Sequence, residues 1–567
     1  WCWGYYSKPN QNDENYYDKG EIIDHPHDND NINLRDFVDK QTIINSNFTL
    51  KDSLANLNVG SFKTYTKKIK SQELLNNSKI KLTYDFNDGE LWKTKHHYYY
   101  LENKLEFLNS TNEWFYDTQT NYLYLRLFND QTPTSDSISA KVQSYALNIN
   151  SDNVTVKNIN FFGTTFKAKN SDNLLVENCD FMYPSCYSHM INKINDGEIF
   201  DPEKNQTFTT MTKIESSKGC KLKKCSFRYT DGSALEMTGS NIENPNLVEE
   251  CNFNYIDKTC ANLSSVMTTI RLSGKGNVVR QNTFKKTGAS STLNSGDLAT
   301  IEYNDLSESG YLQSDGAMIH CMVQQQKDVN IRYNWVHDTI KYGIRFDGDG
   351  DGNGGYIHHN ICWNCEGGIM VKGGINDVGG HFIYNNTVFD STGKNDIIIL
   401  NQQSDNNGQI NPINNGTVVV NNLCESLSGD RSNEIDLDTG EGRIISENNL
   451  IVDDINSVLK NITNKDFSPK DTSINVINMG ITQHTNINES NNTLLSNSIG
   501  AMSLTDTWTS GINWTVQEEP TTTVDQPMNF LSITNDYESS TNKTIVQEPI
   551  TGKITYLDLE GGFYGVI

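Results

Sequence analysis

The sequence predicts an all-β protein built as a right-handed parallel β-helix of about ten or eleven coils. Three observations predict it: a short motif that recurs through the middle of the chain, the near absence of helical periodicity there, and a composition suited to many short strands joined by turns. Apolar residues make up only 35% of the 567 positions, with 40 Gly and 11 Pro. A narrow solenoid can work with so few, because it needs apolar side chains only at inward strand positions. The abundant Asn and Gly tolerate the left-handed backbone that tight turns require.

The repeat carries most weight. VKNINF around Asn158, ENCDF around Cys179, KKCSF around Cys225 and EECNF around Cys251 share one form. So do RQNTF at Asn282, EYNDL at Asn304, RYNWV at Asn334, HHNIC at Asn360, YNNTV at Asn386, VNNLC at Asn422 and ENNLI at Asn449. Each is a short β-like run, then Asn or Cys, then one residue, then an apolar residue. The closest motifs stand 21–22 residues apart, as at Asn282 and Asn304. That suits a minimal coil of three strands and three turns, with insertions accounting for the longer intervals. Coils stack at about 4.8 Å, so an Asn recurring at one turn can bond its neighbours through the side-chain amide and satisfy groups a buried turn would strand. No i, i+3, i+4, i+7 pattern persists over three turns in this region, which excludes a doubly wound α/β fold.

Residues 1–145 read as an N-terminal β-rich cap domain. Within it, NEWFYDTQTNYLYLRLF reads as two strands about a turn at Thr118 to Asn121. The β-helix is expected over 146–470, a C-terminal cap over 471–515, a polar linker over 516–545 and the start of a small β module over 546–567. The cap domains answer a need, since an open strand edge invites aggregation.

The net charge of -25 and the lack of a basic patch argue against nucleic acid. No run approaches the roughly 18–20 apolar residues of a membrane span. The start at Trp1 reads as processed. Sequons at Asn47, Asn109, Asn153, Asn205, Asn262, Asn385, Asn415, Asn461, Asn488, Asn513 and Asn542 point to a secretory route and covalent N-glycans. The 11 Cys leave at least one unpaired within the chain, and Cys362-x-x-Cys365 reads as a local disulfide or buried thiols rather than a metal site.

A second strand can be aligned across the repeats. One inward column reads Leu235, Ile270, Ala317, Ile344, Ile369, Ile398; the next reads Met237, Leu272, Ile319, Phe346, Val371, Leu400. Alternation turns the intervening residues outward. They form the columns Glu236, Arg271, Met318, Arg345, Met370, Ile399 and Thr238, Ser273, His320, Asp347, Lys372, Asn401. His320, Asp347 and Lys372 are thus expected on consecutive rungs. Three of these residues are candidate catalytic groups: His320 and Lys372 as bases, with Arg345 neutralising a sugar carboxylate. Arg271, Asp347 and Glu236 are candidate substrate-binding residues. A hydrolase would need two carboxylates instead, and Asp347 with Glu236 or Asp315 are the candidates. Asp347, Asp349, Asp351 and Asn353 place oxygen ligands at alternate positions, like the opening of a calcium loop, although His358 stands where the closing Glu belongs. His358 and His359 should point one inward and one outward. No cofactor is required by this reading; calcium is the candidate.

Three stretches resemble the secreted, pectate-lyase-like right-handed parallel β-helix family. They are YLENKLEFLNSTNEWFYDTQTNYLYL, the repeats around RYNWVHDTIKYGIRFDGDGDGNGGYIHHNICWNCEGGIMVKGG, and SIGAMSLTDTWTSGINW. The last is similar to the D-I-G-A-Y-E segment that closes many such solenoids, with Ser498 in place of the Asp and Met502-Ser503 in place of Tyr-Glu. The resemblance implies the fold and a tie to polysaccharide. That family holds lyases, hydrolases, adhesins and structural proteins. The expected function is an extracellular β-helix glycoprotein with a structural, adhesive or carbohydrate-binding role, as a candidate subunit of a surface filament. The alternative is a polysaccharide lyase, or less so a glycoside hydrolase, acting on an acidic glycan. Expected partners are carbohydrate, further copies of the chain or other extracellular proteins.

Overall fold

The computed structural model describes residues 18–23, 34–39, 49–60, 63–75, 79–85, 98–108, 113–127, 145–185, 211–257, 268–288, 291–310, 313, 315–322, 327–347, 354–373, 380–393, 395–405, 407–484, 487 and 495–516. The proposed linker from 517 and the β module over 546–567 lie outside them. Among the described residues no helix is long and apolar enough to cross a membrane.

From Tyr145 onward the chain winds as a parallel β-solenoid. Its clearest face, here called face A, is an 11-stranded sheet running from Thr155–Lys157 to Ile445–Glu447. Every pairing within it is parallel and without register shift, for instance Val279 opposite Ile301 and Ile301 opposite Ile331. After face A comes a turn, then face B, then a corner into face C; several strands, such as Trp335–Asp347, run through that corner unbroken. A single apolar core fills the centre. Its Phe161, Phe181, Phe227, Phe253 and Phe284 stack with centroids 4.6, 4.6, 5.2 and 4.8 Å apart.

The turn between faces A and B explains the recurring Asn. The Asn282 amide donates to Asn304 Oδ1 at 2.9 Å, and the same bond links Asn304 to Asn334, Asn334 to Asn360, Asn360 to Asn386, Asn386 to Asn422 and Asn422 to Asn449 at 2.9–3.1 Å. Each oxygen also accepts the backbone N–H of the preceding Asn, as Asn334 Oδ1 does from Asn304 at 3.0 Å. Cys179, Cys225 and Cys251 hold the earlier rungs of the column. The residue before each member lies in left-handed backbone, whether it is Asn421, Gln281, Tyr333 or His359. That conformation disfavours most side chains, and the amide bonds offset the repeated cost. All eight described cysteines are buried free thiols, so Cys362 and Cys365 take the thiol alternative, not the disulfide.

Face A's outward column reads Lys157, Glu177, Lys223, Glu249, Arg280, Glu302, Arg332 in register. The signs alternate, with Lys157–Glu177 at 2.7 Å, Lys223–Glu249 at 2.6 Å and Arg332–Glu302 at 2.8 Å. Opposite charges facing across a parallel sheet stabilise it modestly.

Two units flank the solenoid. Six N-terminal strands between Asp18 and Glu102 close into an antiparallel barrel, followed by the hairpin Trp114–Asp117 and Tyr122–Leu125 about the expected turn. The barrel reaches the solenoid's side, where Gln313 Nε2 donates to the Thr64 hydroxyl at 3.2 Å. Among the described residues the C-terminal segment turns back along the flank of the solenoid. Ser498 O accepts from Asn385, Gly511 N–H donates to Tyr303 O at 2.8 Å, and Trp514 Nε1 donates to Glu250 O at 2.8 Å. Its apolar residues, including Phe467, Val476 and Met502, cover outward Trp335, Ile361 and Leu423 of face B. Those outward apolar side chains need a lateral cover more than the last coil needs a lid, since Leu437 already packs against the core there.

Candidate functional site

Face C carries the stripe, in a register that differs from the sequence alignment. Ile319 lies opposite Ile344, which places His320 opposite Arg345 and not Asp347. The slip is by two residues, which period-2 alternation cannot detect; separately, Ser291–Asn294 forms a rung of its own, with Leu293 between Ile270 and Ile319. At the far end Met370 faces Ile398, and Ile399 takes the inward column beside Val371. The true outward column reads Glu236, Arg271, Asn294, His320, Arg345, Met370, Ile398. Asp347 is opposite Lys372, as the alignment had it.

Five groups converge. Arg345 donates to Asp315 Oδ1 at 2.8 Å through one nitrogen and reaches Asp347 Oδ2 at 2.6 Å through another. Lys372 Nζ stands 3.6 Å from Asp347 Oδ1, and His320 Nε2 stands 3.6 Å from Asp347 Oδ2. Tyr342 lies under the guanidinium, 5.4 Å from its centroid. His320 and Arg345 are buried; Asp315, Asp347 and Lys372 stay partly exposed, at 34%, 21% and 22%. Burial and the neighbouring Arg345 charge push His320 below its ordinary pKa even though Asp347 opposes them, so the imidazole is neutral at pH 7. Burial would raise the Asp347 carboxyl, but contact with His320 and the charges of Arg345 and Lys372 hold it well below the usual carboxylate range.

Of the expected residues, His320, Arg345, Asp347 and Lys372 meet at this site. Asp315, considered only for a hydrolase, is a full member. Arg271 lies exposed two rungs from His320. Glu236 lies one rung further and faces Lys213, 3.8 Å away, so it has no part in the cluster. Arg345 is buried and already paired with two carboxylates, which leaves it poorly placed to meet a sugar acid. Asp349, Asp351 and Asn353 of the calcium candidate lie outside the described residues, and Asp347 is committed to Arg345. Among the sequons, Asn153, Asn415, Asn461 and Asn513 are exposed. Asn385 is fully buried, donating to Ser498 O at 2.8 Å and accepting from Ser496 N–H, which closes it to glycosylation. Asn47, Asn109, Asn205, Asn262, Asn488 and Asn542 lie outside the described residues.

His358 and His359 depart from the alternation as well. Neither enters the core: His358 stacks on Tyr384, His359 occupies the left-handed turn position, and their Nδ1 atoms share a 2.8 Å hydrogen bond. Burial lowers both, His359 to about 4, so one neutral ring donates to the other.

A second titratable cluster, missed in the sequence, lies on face B. His337 bonds Asp305 through Nε2 at 2.9 Å and Asp338 through Nδ1 at 2.7 Å, and stacks on Trp363 at 4.0 Å. Lys465 of the returning segment sits 3.6 Å from Asp305. Burial opposes the imidazolium and Lys465 repels it, but the two carboxylates outweigh both and raise the His337 pKa. Its contribution to stability is therefore complete below the unfolded value of about 6.5 and lost as pH rises through the folded value. A His337→Gln variant is expected to lose that alkaline-side decline, seen as a flatter unfolding midpoint above about pH 6.5.

Residues 213–388 match the family model described as a right handed beta helix region. Those coils have the right-handed parallel β-helix fold. The match spans the coils from the start of the Thr212–Glu215 strand to Val388, and so includes the whole face C cluster of this β-helix. A solved structure named "Glycoside hydrolase" aligns over 76% of the β-helix chain and 73% of its own, at 12% identity and a TM-score of 0.42. No curated protein matches the sequence.

Proposed function

We propose that this β-helix is an extracellular carbohydrate-binding protein whose face C cluster holds a neutral glycan. One observation carries the reading: Asp315 and Asp347 are bridged by buried Arg345, which keeps two partly exposed carboxylates ionised and fixed. A positioned carboxylate accepts hydrogen bonds from sugar hydroxyls, and charge-assisted bonds are about twice as strong as neutral ones. The ionised groups also balance, two carboxylates against Arg345 and Lys372. Within the cluster an acidic glycan would meet balanced charge, with the exposed Arg271 two rungs away and a chain charge of -25 besides. The exposed sequons at Asn153, Asn415, Asn461 and Asn513 support the extracellular placement. A structural or adhesive role, with self-assembly, is compatible with binding at this face.

The test is a panel of neutral and uronate-containing oligosaccharides titrated against the full chain. Neutral sugars are expected to bind, and Asp347→Asn is expected to weaken them about tenfold or more, the loss of one charge-assisted bond. Absorbance of an unsaturated product from alginate or pectin, abolished by His320→Ala or Lys372→Ala, would instead establish the lyase alternative.

A further inference from the structure

His359 owes its burial to the returning C-terminal segment. It holds the left-handed position that precedes each ladder residue. On the first rungs Asn158, Asn178 and Lys224 hold the same position and are exposed. His359 is only 6% exposed. The rungs on either side of it are bonded to the segment: the Asn385 amide donates to Ser498 O at 2.8 Å, and Ser510 Oγ donates to Tyr333 O at 2.6 Å. Residues 499–509 therefore cross over His359. Trp508 stands edge-on to Tyr333 at 5.3 Å, and Asp506 is near enough to favour the imidazolium.

The hydrogen bonds suit a neutral pair. His358 Nε2–H donates to Asn330 Oδ1 at 3.0 Å, which leaves its Nδ1 to accept from His359 Nδ1–H. A further proton would go to His359 Nε2 and put a charge where water cannot reach. Two charged groups act on the pair: Arg332 of the adjacent face A strand repels an imidazolium, and Asp506 of the segment attracts one. Tyr333, Tyr384 and Asn330 around them carry no charge. Burial outweighs Asp506, holding His359 at about 4 and His358 well below its ordinary value. With the segment lifted, water reaches the rings and they return towards about 6.5. Between those values the seated state binds fewer protons than the released one, so acid favours release. One proton taken up on release weakens docking up to about tenfold per pH unit across that window.

We propose that residues 495–516 are an acid-released strap, seated on the ladder turn at neutral pH and lifted by protonation of the His358–His359 pair while the solenoid stays wound. Ile499, Ala501 and Met502 of the strap pack in one apolar cluster with Trp335, Ile361 and Leu423 of face B. Release thus bares an apolar flank that is covered at neutral pH, and a partner that needs this flank can dock only in acid surroundings.

The test follows hydrogen exchange of the full chain between about pH 7.5 and 4.5, a span that brackets the ordinary histidine value, with protection corrected for the intrinsic exchange rate. The N–H groups of Gly500, Ala501, Gly511 and Ile512 bond the strap to the solenoid. Their protection is expected to fall up to about tenfold per pH unit below about 6.5, while that of Val278 and Thr300 on face A holds. His358→Gln/His359→Asn removes both titrating rings, and Asn suits the turn, as Asn385 and Asn421 show. That variant should keep its neutral-pH protection and lose the pH dependence. If its unfolding midpoint drops at neutral pH, His359→Asn takes its place and should flatten the profile, since the open lone pair is on His359. A flat wild-type profile overturns the strap without any variant. Equal loss at Val278 and Thr300 overturns it too, as acid unfolding of the whole, and so does a variant that declines as steeply as wild type.

Discussion

Asn334→Ala is expected to destabilise the β-helix by about 3–5 kcal/mol, among the largest effects of any single side chain in it. The Asn334 oxygen accepts both the backbone N–H and the side-chain amide of Asn304, each at 3.0 Å, in a turn with no access to water. Truncation strands two buried donors at about 1–3 kcal/mol each, and a small cavity adds to it. The control is Asn449→Ala. Asn449 makes the equivalent bonds to Asn422, but at the last rung and only half-buried, so water can replace it. A loss of about 1 kcal/mol is expected there. Equal and small effects at both positions in urea denaturation would show that the stacked amides matter little to stability.

The second large effect is expected at Arg345. Arg345→Met leaves Asp315 and Asp347 facing each other without their bridge, and removing one partner of a buried ion pair costs about 3–5 kcal/mol. Because Asp315 and Asp347 are partly exposed, the lower end of that range is expected. Arg345→Met/Asp347→Leu should recover part of it, since most of the penalty is the uncompensated charge. The acid limb should report the same interaction. The Asp347 carboxyl sits below its ordinary value in the folded protein, so its contribution is present above about pH 4 and lost as pH falls further. In Arg345→Met that acid sensitivity should shrink, as the unfolding midpoint followed between neutral and acid pH will show.

Much of the fold was legible because its period is written in residues with a single structural use. An amide turn at every coil, flanked by short apolar runs, leaves few architectures open, and eleven face A strands match the expected number of coils. The site was less legible, for a geometric reason. Insertions at the corners change the spacing between coils, so register cannot be carried from one rung to the next by counting. Alternation repeats every two residues, so the pattern admits His320 beside either Arg345 or Asp347, and Ser291–Asn294 is short and polar enough to look like a loop, which hid a rung. The slip left the neighbourhood nearly intact, because Asp347 projects on the same side and still reaches His320 diagonally. Asp315 was harder to weigh, since it precedes its strand and approaches Arg345 from a turn. The His337 cluster escaped because Asp305, Asp338 and Lys465 come from three separate stretches of chain. Nothing in local sequence pattern announces that a segment will double back.

That doubling back has a kinetic corollary. Docking sites for residues 496–514 are distributed over rungs that begin near Glu250 and extend to Asn421. Such a ribbon has nothing to bind until those rungs are wound, so it is a late arrival in assembly. Once seated, it couples units that would otherwise feel only their nearest neighbours, and a linear array that could fray rung by rung acquires all-or-none behaviour over that length.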